Sequence, residues 1–339
     1  MQTLNILLTS VGRRTYMIDF FKEALKGRGK VFASNSIMTS SFQNADEYTL
    51  TPSIYDSSYG DFLMSYCKAN NITAILSWFD VDLSVLTKEK ERFKENGISI
   101  IVSDQSAIRL CNDKLNTHQF IKSLGLKQPK TYLDLNLAKQ DIAAGELSFP
   151  CFVKPRWGMG SIGVYQASTM DELDVVYQRS LREAFTSYMK YESEGNRDAC
   201  ILVQEKIVGV EHGLDIFNDL HGNYVTTIAK RKTEMLNGET HIAQIIDSKP
   251  LEDIGRLIAT NIRHVANMDV DCFITASGEI FVIDMNCRFG GQYSFSHLAG
   301  ANFPKQIVEW LMGYPTSTDN ITAKIGVKGV KDSVLPIRF

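Results

Sequence analysis

Two stretches of this chain carry side chains whose types and spacing suit the handling of phosphate. Lys154 ends the apolar run Phe152-Val153-Lys154-Pro155, four residues ahead of Gly158-Met159-Gly160-Ser161-Ile162-Gly163. A strand that ends in lysine aims one ammonium in a fixed direction, and a glycine-rich loop behind it lets backbone amides fold over phosphate oxygens. The loop spells Gly-x-Gly-x-x-Gly, which in a dinucleotide fold must follow a strand and open a helix. Here Gly163 leads into the strand-like Val164-Tyr165-Gln166-Ala167, so the loop reads as a flap between two strands. A glycine hairpin with an incidental edge lysine is the plain alternative.

The second stretch is Asp271-Cys272-Phe273 and, past a Ser277-Gly278 turn, Ile283-Asp284-Met285-Asn286-Cys287-Arg288-Phe289-Gly290-Gly291. Asp284 and Asn286 are two apart on a strand and share a face. A hairpin at the turn brings Asp271 alongside, so three hard oxygen ligands converge, a set suited to Mg²⁺ (or Mn²⁺) with nucleotide phosphates. A merely solvated hairpin end is the competing reading. Arg288 and the two glycines weigh against it, because a fixed guanidinium beside such a face serves phosphoryl transfer. For a non-nucleotide substrate the candidates are Ser10, Gly12 and Arg13 in the turn Ser10-Val11-Gly12-Arg13-Arg14, together with Asp80 and Arg288. Free amides at a helix start and arginine charge attract anions, and Asp80 opens on the same sheet edge to receive an ammonium or hydroxyl. Against this, cations at a helix start oppose its dipole, so solvated arginines are an even match.

The elements that position these residues change character along the chain. Strand patterns at 4–8, 31–33, 72–76 and 98–102 alternate with helical patterns reaching Leu25 and at 60–69 and 81–95, which predicts an open parallel sheet. A boundary falls near 110–130, closed by Pro129. Beyond it strands recur at 152–155, 164–167, 200–205, 212–217, 223–230, 241–246, 271–275 and 280–285, with helices at Thr169–Met189, from Pro250 to about Ala266, and near 303–312. The apolar stripe of Thr169–Met189 is core. It also stands where an NAD-dependent dehydrogenase would place an acidic strand end, which argues against that class.

Composition excludes other classes. The 339 residues carry a net charge of −3 with interspersed signs, as in Lys88 to Glu95, so nucleic acid is a poor partner. No apolar run approaches the roughly 20 residues that span a bilayer, and the start lacks a signal-peptide layout, so a cytoplasmic protein without a membrane partner is expected. The six cysteines form no Cys-x-x-Cys pair and the six histidines no helical pair, which points to reduced core thiols and no zinc.

On its motifs the chain resembles the ATP-grasp superfamily, close to carbamoyl-phosphate synthase large-chain-like ligases. The resemblance runs over nearly the whole chain, through Asn5-Ile6-Leu7-Leu8-Thr9-Ser10-Val11-Gly12-Arg13-Arg14, Asn112-Asp113-Lys114, Phe149-Pro150-Cys151-Phe152-Val153-Lys154-Pro155 with its loop, Gln204-Glu205-Lys206-Ile207, and Asp284-Met285-Asn286-Cys287-Arg288. It implies an N-terminal open parallel α/β (pre-ATP-grasp) domain over 1–110 and a two-lobed ATP-grasp domain over 111–315, with a small lobe of about 125–205, a large lobe of about 206–315, and a C-terminal extension at 316–339. By the same resemblance Lys114, Lys154 and the loop residues Gly158, Gly160, Ser161 and Gly163 hold phosphates, Glu205, Lys206 and Ile207 meet adenine, and Glu211 meets the ribose. Asp271, Asp284 and Asn286 hold Mg²⁺, and Arg288 steadies the transferred phosphoryl group. Two departures stand out. Asp284 replaces a glutamate common among relatives, and Asn286-Cys287-Arg288 replaces Asn-Pro-Arg. The implied activity is ATP-dependent, ADP-forming joining of a small carboxylate to an amine, with a homodimer as an admissible assembly. One lysine-loop-metal set is half of what an intact carbamoyl-phosphate synthase large chain needs. A non-catalytic nucleotide-binding regulatory protein is the alternative from another class.

Overall fold

A computed structural model describes residues 3–236 and 238–331. The N-terminal part runs β1 (Asn5–Thr9), α1 (Thr15–Leu25), β2 (Val31–Asn35), β3 (Glu47–Leu50), α2 (Tyr59–Ala69), β4 (Ile72–Ser77), α3 (Asp80–Lys94) and β5 (Ser99–Ile100). Its strands are all parallel, in the order β3-β2-β1-β4-β5. Ile6, Leu7 and Leu8 are buried without a polar alternate, as a strand covered on both faces requires. Met17, Ile18, Phe21, Ala24 and Leu25 give α1 one inward face. The chain leaves β1 toward β2 and returns to its other side at β4, so the switch point lies between the carboxyl ends of β1 and β4.

Two helices, α4 (Gln105–Asn112) and α5 (Lys114–Ser123), lead out of this domain. Next come β6 (Thr131–Tyr132), α6 (Leu135–Ala143), β7 (Cys151–Pro155), β8 (Tyr165–Ala167), α7 (Met170–Thr186), α8 (Lys190–Ser193) and β9 (Ile201–Glu205), whose strands form an antiparallel sheet in the order β6-β9-β7-β8. Thr169 caps α7 by accepting the Glu172 amide at 3.2 Å, and Glu172 reaches back to the Ser168 amide at 2.7 Å, a reciprocal arrangement that fixes the helix start. The third layer comprises β10 (Val210–Asn218), β11 (Tyr224–Leu236), β12 (Glu239–Ile246), α9 (Lys249–Ile262), β13 (Ala266–Ile274), β14 (Ile280–Asn286), α10 (Tyr293–Leu298), α11 (Phe303–Leu311), α12 (Thr318–Ile321) and β15 (Lys328–Val330). Its sheet runs β14-β13-β10-β11-β12-β15. The parallel α/β domain followed by two antiparallel lobes is the expected architecture.

Some expected boundaries move. The helix expected to reach about Ala266 stops at Ile262, because Arg263 caps it in the left-handed region and Ala266 already pairs with Asn218 at the start of β13. The helix expected to reach Met189 stops at Thr186, where Ser187 turns extended. Short or edge strands such as β3, β6 and β15 were not anticipated. Within the extension at 316–339, residues 328–330 pair with β12, while residues 332–339 lie outside the described residues. The core of the N-terminal domain is continuous with α10 and α11: Phe20 stacks on His297 with ring centroids 3.5 Å apart, and Phe289 and Phe303 join the same cluster. No helix among the described residues is long and apolar enough to cross a membrane.

Candidate active site

Lys114 and Lys154, the lysines expected to hold phosphate, are placed by one ion pair. Asp113 caps α5 by accepting the Leu115 amide at 3.0 Å, and its two carboxylate oxygens take Arg156 Nε and Nη2, each at 2.7 Å. The Lys114 amide then bonds Arg156 O at 3.1 Å, so the start of α5 is tied to the end of β7 and to the flap behind it. Lys114 Nζ reaches Gly158 O at 2.5 Å. Lys154 projects from β7 at 8% exposure. Burial pulls its pKa down to about 8; Asp284 opposes that shift and Lys114 adds to it. Both lysines and Asp284 are therefore near enough to act on one another's charge, and Lys114 is tied directly to the flap. Gly158 has φ +107, and a Cβ there would collide with Met189 Sδ, so only glycine lets the flap pass.

His118, one helical turn after Lys114 on α5, shares this environment and was not among the expected residues. Gln204 Nε2 donates to its Nε2 at 2.8 Å. Burial first, then the Lys154 charge, lowers its pKa to about 4, so it stands neutral beside the lysines. The i, i+4 spacing from Lys114 was the one sequence signal that could have found it.

On the β13–β14 hairpin Asp271 sits opposite Asp284 and Asp269 opposite Asn286, so the expected convergence of strands occurs. The three expected ligands nevertheless differ in state. Asp271 Oδ1 is bound by Lys232 at 2.6 Å, and Lys232 also holds Glu211 at 2.7 Å. Burial raises the Asp271 pKa to about 6; Lys232 opposes the rise and Asp269 and Glu211 add to it. Asp284 and Asn286 are half-buried, and their side chains have no hydrogen-bond partner among the described residues. No group of three or more His, Cys, Asp and Glu side chains forms a cation cage among the described residues. Two open oxygen ligands near the buried Lys154 ammonium fit a Mg²⁺ that takes its remaining ligands from phosphate and water, as that ion commonly does.

Arg288 is 8% exposed between two carboxylates, with Nε 3.2 Å from Asp80 Oδ1 and Nη1 3.1 Å from Asp269 Oδ2. Burial alone would lower its pKa, but these carboxylates hold it above the usual value. Asp80 is thus the N-terminal domain's hold on Arg288. Next to Arg288 in the chain, Cys287 Sγ lies 3.3 Å from Cys111 Sγ of α4, and both thiols are buried.

The remaining expected residues are spread more widely. The Ser10 hydroxyl donates to Asp82 at 2.9 Å, and Asp82 also receives Thr9 at 2.5 Å, Ser77 at 2.8 Å and Tyr59 at 2.8 Å. Gly12 has φ +54, and its carbonyl accepts the Ser41 hydroxyl at 2.9 Å. Arg13 is exposed, whereas Arg14 crosses to Phe289 O at 2.6 Å. Glu205 ends β9 with its carboxylate on the Lys130 amide at 2.9 Å; Lys206 Nζ bonds Gln166 Oε1 at 2.7 Å, and Ile207 follows, half-buried. Gly160, Ser161 and Gly163 take positive φ along the flap. A narrow cleft runs between Asp80, Lys114, Asn286, the flap and Tyr188.

Comparison with known proteins places this geometry. Residues 6–101 match the family described as PylC-like, N-terminal domain, and residues 147–296 match the family described as ATP-grasp domain. The chloroplastic carbamoyl phosphate synthase arginine-specific large chain of Arabidopsis thaliana is 22% identical over 69% of this chain, and the chain spans only 20% of that relative's length. The biotin carboxylase domain of Hydrogenobacter thermophilus 2-oxoglutarate carboxylase, solved as a dimer with MgADP, ADP and bicarbonate, superposes with a TM-score of 0.75 at 16% identity, covering 97% of this chain and 74% of that one. An L-amino acid ligase from Bacillus licheniformis gives a TM-score of 0.67 at 16% identity, covering 91% and 74%. At such identities the structural likeness concerns the fold. Its two sequence matches coincide with the parallel domain and with the lobes that carry Lys154 and Asp284: the chain carries a PylC-like N-terminal domain over residues 6–101 and an ATP-grasp domain over residues 147–296.

Proposed function

We propose that this chain is an ADP-forming ligase that uses ATP to join a small carboxylate to an amine. The observation that carries the reading is the buried Lys154 ammonium facing Lys114 and Asp284 beneath a glycine flap, a cation pair set against open oxygen ligands. Lys114 and Lys154 would take the phosphate oxygens, with the amides of Gly158 to Gly163 closing over them. Asp284 and Asn286 would hold Mg²⁺ or Mn²⁺, which when bound screens phosphate charge and orients the terminal phosphoryl group. Asp271 would act through its bond to Lys232, and Glu211, held by the same ammonium, would present its free oxygen to the ribose. Glu205, Lys206 and Ile207 would border adenine.

In the reaction so read, a carboxylate oxygen attacks the terminal phosphorus, ADP leaves, an amine nitrogen attacks the acyl carbon, and phosphate departs. Arg288, held rigid by Asp80 and Asp269, stabilises charge on the transferred group. The domain division we infer is 1–110, a small lobe of about 125–205, a large lobe of about 206–315, and an extension at 316–339. A cytoplasmic homodimer is the assembly to test first, since the similar biotin carboxylase domain was solved as a dimer.

The test is ADP release from MgATP across a panel of carboxylic acids and amines. With an oxygen-18-labelled acid, one label should pass into phosphate for each bond formed. AMP and pyrophosphate as products, or unlabelled phosphate, would sink the reading.

A further inference from the structure

The cleft is roofed by aromatic side chains that the proposed reaction does not use. Tyr188, just beyond the end of α7, accepts the Met159 amide of the flap on its hydroxyl at 2.9 Å. Its ring meets Phe79 edge-on, with centroids 5.9 Å apart, and its carbonyl accepts the Tyr55 hydroxyl at 3.3 Å. Tyr191 stacks on Tyr55 at 3.7 Å with 24° between the planes. Tyr55 and Phe79 belong to the N-terminal domain, Tyr188 and Tyr191 to the segment after α7, and Met159 to the flap.

These contacts join three bodies at one point. Phe79 immediately precedes Asp80, the partner of Arg288, so one short path runs from the flap amide through the Tyr188 ring to the residue that holds the guanidinium. The flap is also fastened by the Lys114 bond to Gly158 O, by the packing of Met189 where a Gly158 Cβ would stand, and at its far end by the buried Ser180 hydroxyl, which donates to Gly163 O at 2.7 Å. The lysine is expected to exchange its carbonyl for phosphate, which would leave Tyr188 as the polar tie on the leading end of the flap, at Met159, when nucleotide is bound, with Ser180 holding the trailing end at Gly163. Tyr55 and Tyr191 are each partly open to solvent, at 37% and 49%, so their stack is a fastening at the domain surface and not part of a core. Its opening would release the segment that carries Tyr188 without unpacking either domain.

We propose that Tyr188 is a positioning residue that ties the phosphate flap to the N-terminal domain, with the Tyr55–Tyr191 stack as its fastening. This rests on the ligase reading for its purpose, which is to keep water from an acyl phosphate while the amine enters from the N-terminal side. Its geometry stands without that reading. A flap held from the N-terminal side couples occupancy of the cleft to closure over phosphate, and a flap released from it admits water.

The test is hydrogen–deuterium exchange of the flap, residues 157–163, in the full chain without nucleotide and with MgADP. Tyr55→Ala, which touches no flap residue, should raise flap exchange several-fold, up to about tenfold, the factor supplied by one net hydrogen bond. Tyr55→Phe, which keeps the stack, should raise it less, and Tyr188→Phe should raise it at least as much as Tyr55→Ala across the whole flap. If Tyr55→Ala leaves the flap at wild-type exchange, or if Tyr188→Phe alters Met159 alone, the tie does not exist. A turnover readout separates the two ideas: Tyr55→Ala and Tyr188→Phe should each increase ADP release that is not matched by amide formation. Flap exchange that answers to Tyr55 in a protein showing no label transfer would keep the tie and remove the ligase.

Discussion

The carboxyl end of β14 and the switch point between β1 and β4 are equally rich in polar side chains, and both looked like sites. At β14, Asp284 and Asn286 keep their oxygens free while a buried lysine faces them. At the switch point nearly every group is spent internally. Asp82 takes four hydroxyls, Asp80 holds Arg288, and the Gly12 carbonyl takes Ser41. The same residue types therefore make an open edge in one place and an internally bonded bracket in the other. Unmet hydrogen-bonding capacity, more than polarity, separates the two regions.

The largest effect expected from this contrast lies at the open edge. Lys154→Met and Asp284→Asn should each lower kcat/KM some hundreds-fold, about 3–4 kcal/mol, the scale of removing one preorganised electrostatic group. Circular dichroism melts should stay close to wild type, because both side chains serve ligands more than packing. Near wild-type turnover in either variant would erase the difference between the two regions.

The bracket should fail in the opposite way. Asp82→Ala strips the common acceptor from four hydroxyls, two of them in buried strand ends, and should cost roughly 2–3 kcal/mol of stability. Turnover of the fraction still folded should hold. A variant that melts normally but loses activity would move Asp82 into the chemistry.

Arg13 sharpens the comparison, since it is exposed and has no hydrogen bond or ion pair among the described residues. If the switch point also receives the acid substrate, Arg13 is the side chain with charge left to offer. Arg13→Ala should then raise the KM for the acid about tenfold and leave the KM for ATP within about twofold. Unchanged constants would make the whole N-terminal crevice scaffold.

The smallest effect is one of pH. The buried Lys154 gives up its proton near pH 8 in the free protein, below the ordinary lysine range, because burial disfavours its charge. Its ammonium is present below that pH and lost above it, so the KM for ATP should climb as pH rises through about 8. Bound polyphosphate favours the charged form, so kcat should hold to higher pH. A flat KM profile between pH 7 and 9.5 would place Lys154 outside the phosphate contact.

How much of this was legible in the sequence depended on the range of the interaction. The Lys154 strand, the flap and the Asp284–Asn286 pair could be read because each depends on spacing within a few residues: alternation along a strand, glycine in a turn, a hairpin at Ser277-Gly278. The βαβ rhythm came from periodic burial for the same reason. Lys232 could not be read as the partner of Asp271 and Glu211, nor Asp80 as the partner of Arg288, because those bonds join strands and domains far apart in the chain.

The sequence by itself determined the parallel domain, the strand-flap-strand unit and the identity of the phosphate and metal candidates, since local periodicity and residue chemistry suffice for those. Tertiary structure alone decided which candidates remain open. Asp271 and Ser10 carry the right atoms, but their partners reach them through folding, Lys232 from β11 and Asp82 from α3. A carboxylate or hydroxyl oxygen engaged from across the fold, like Asp271 Oδ1, has less left to offer a ligand than those of Asp284 and Asn286, whose side chains have no hydrogen-bond partner among the described residues.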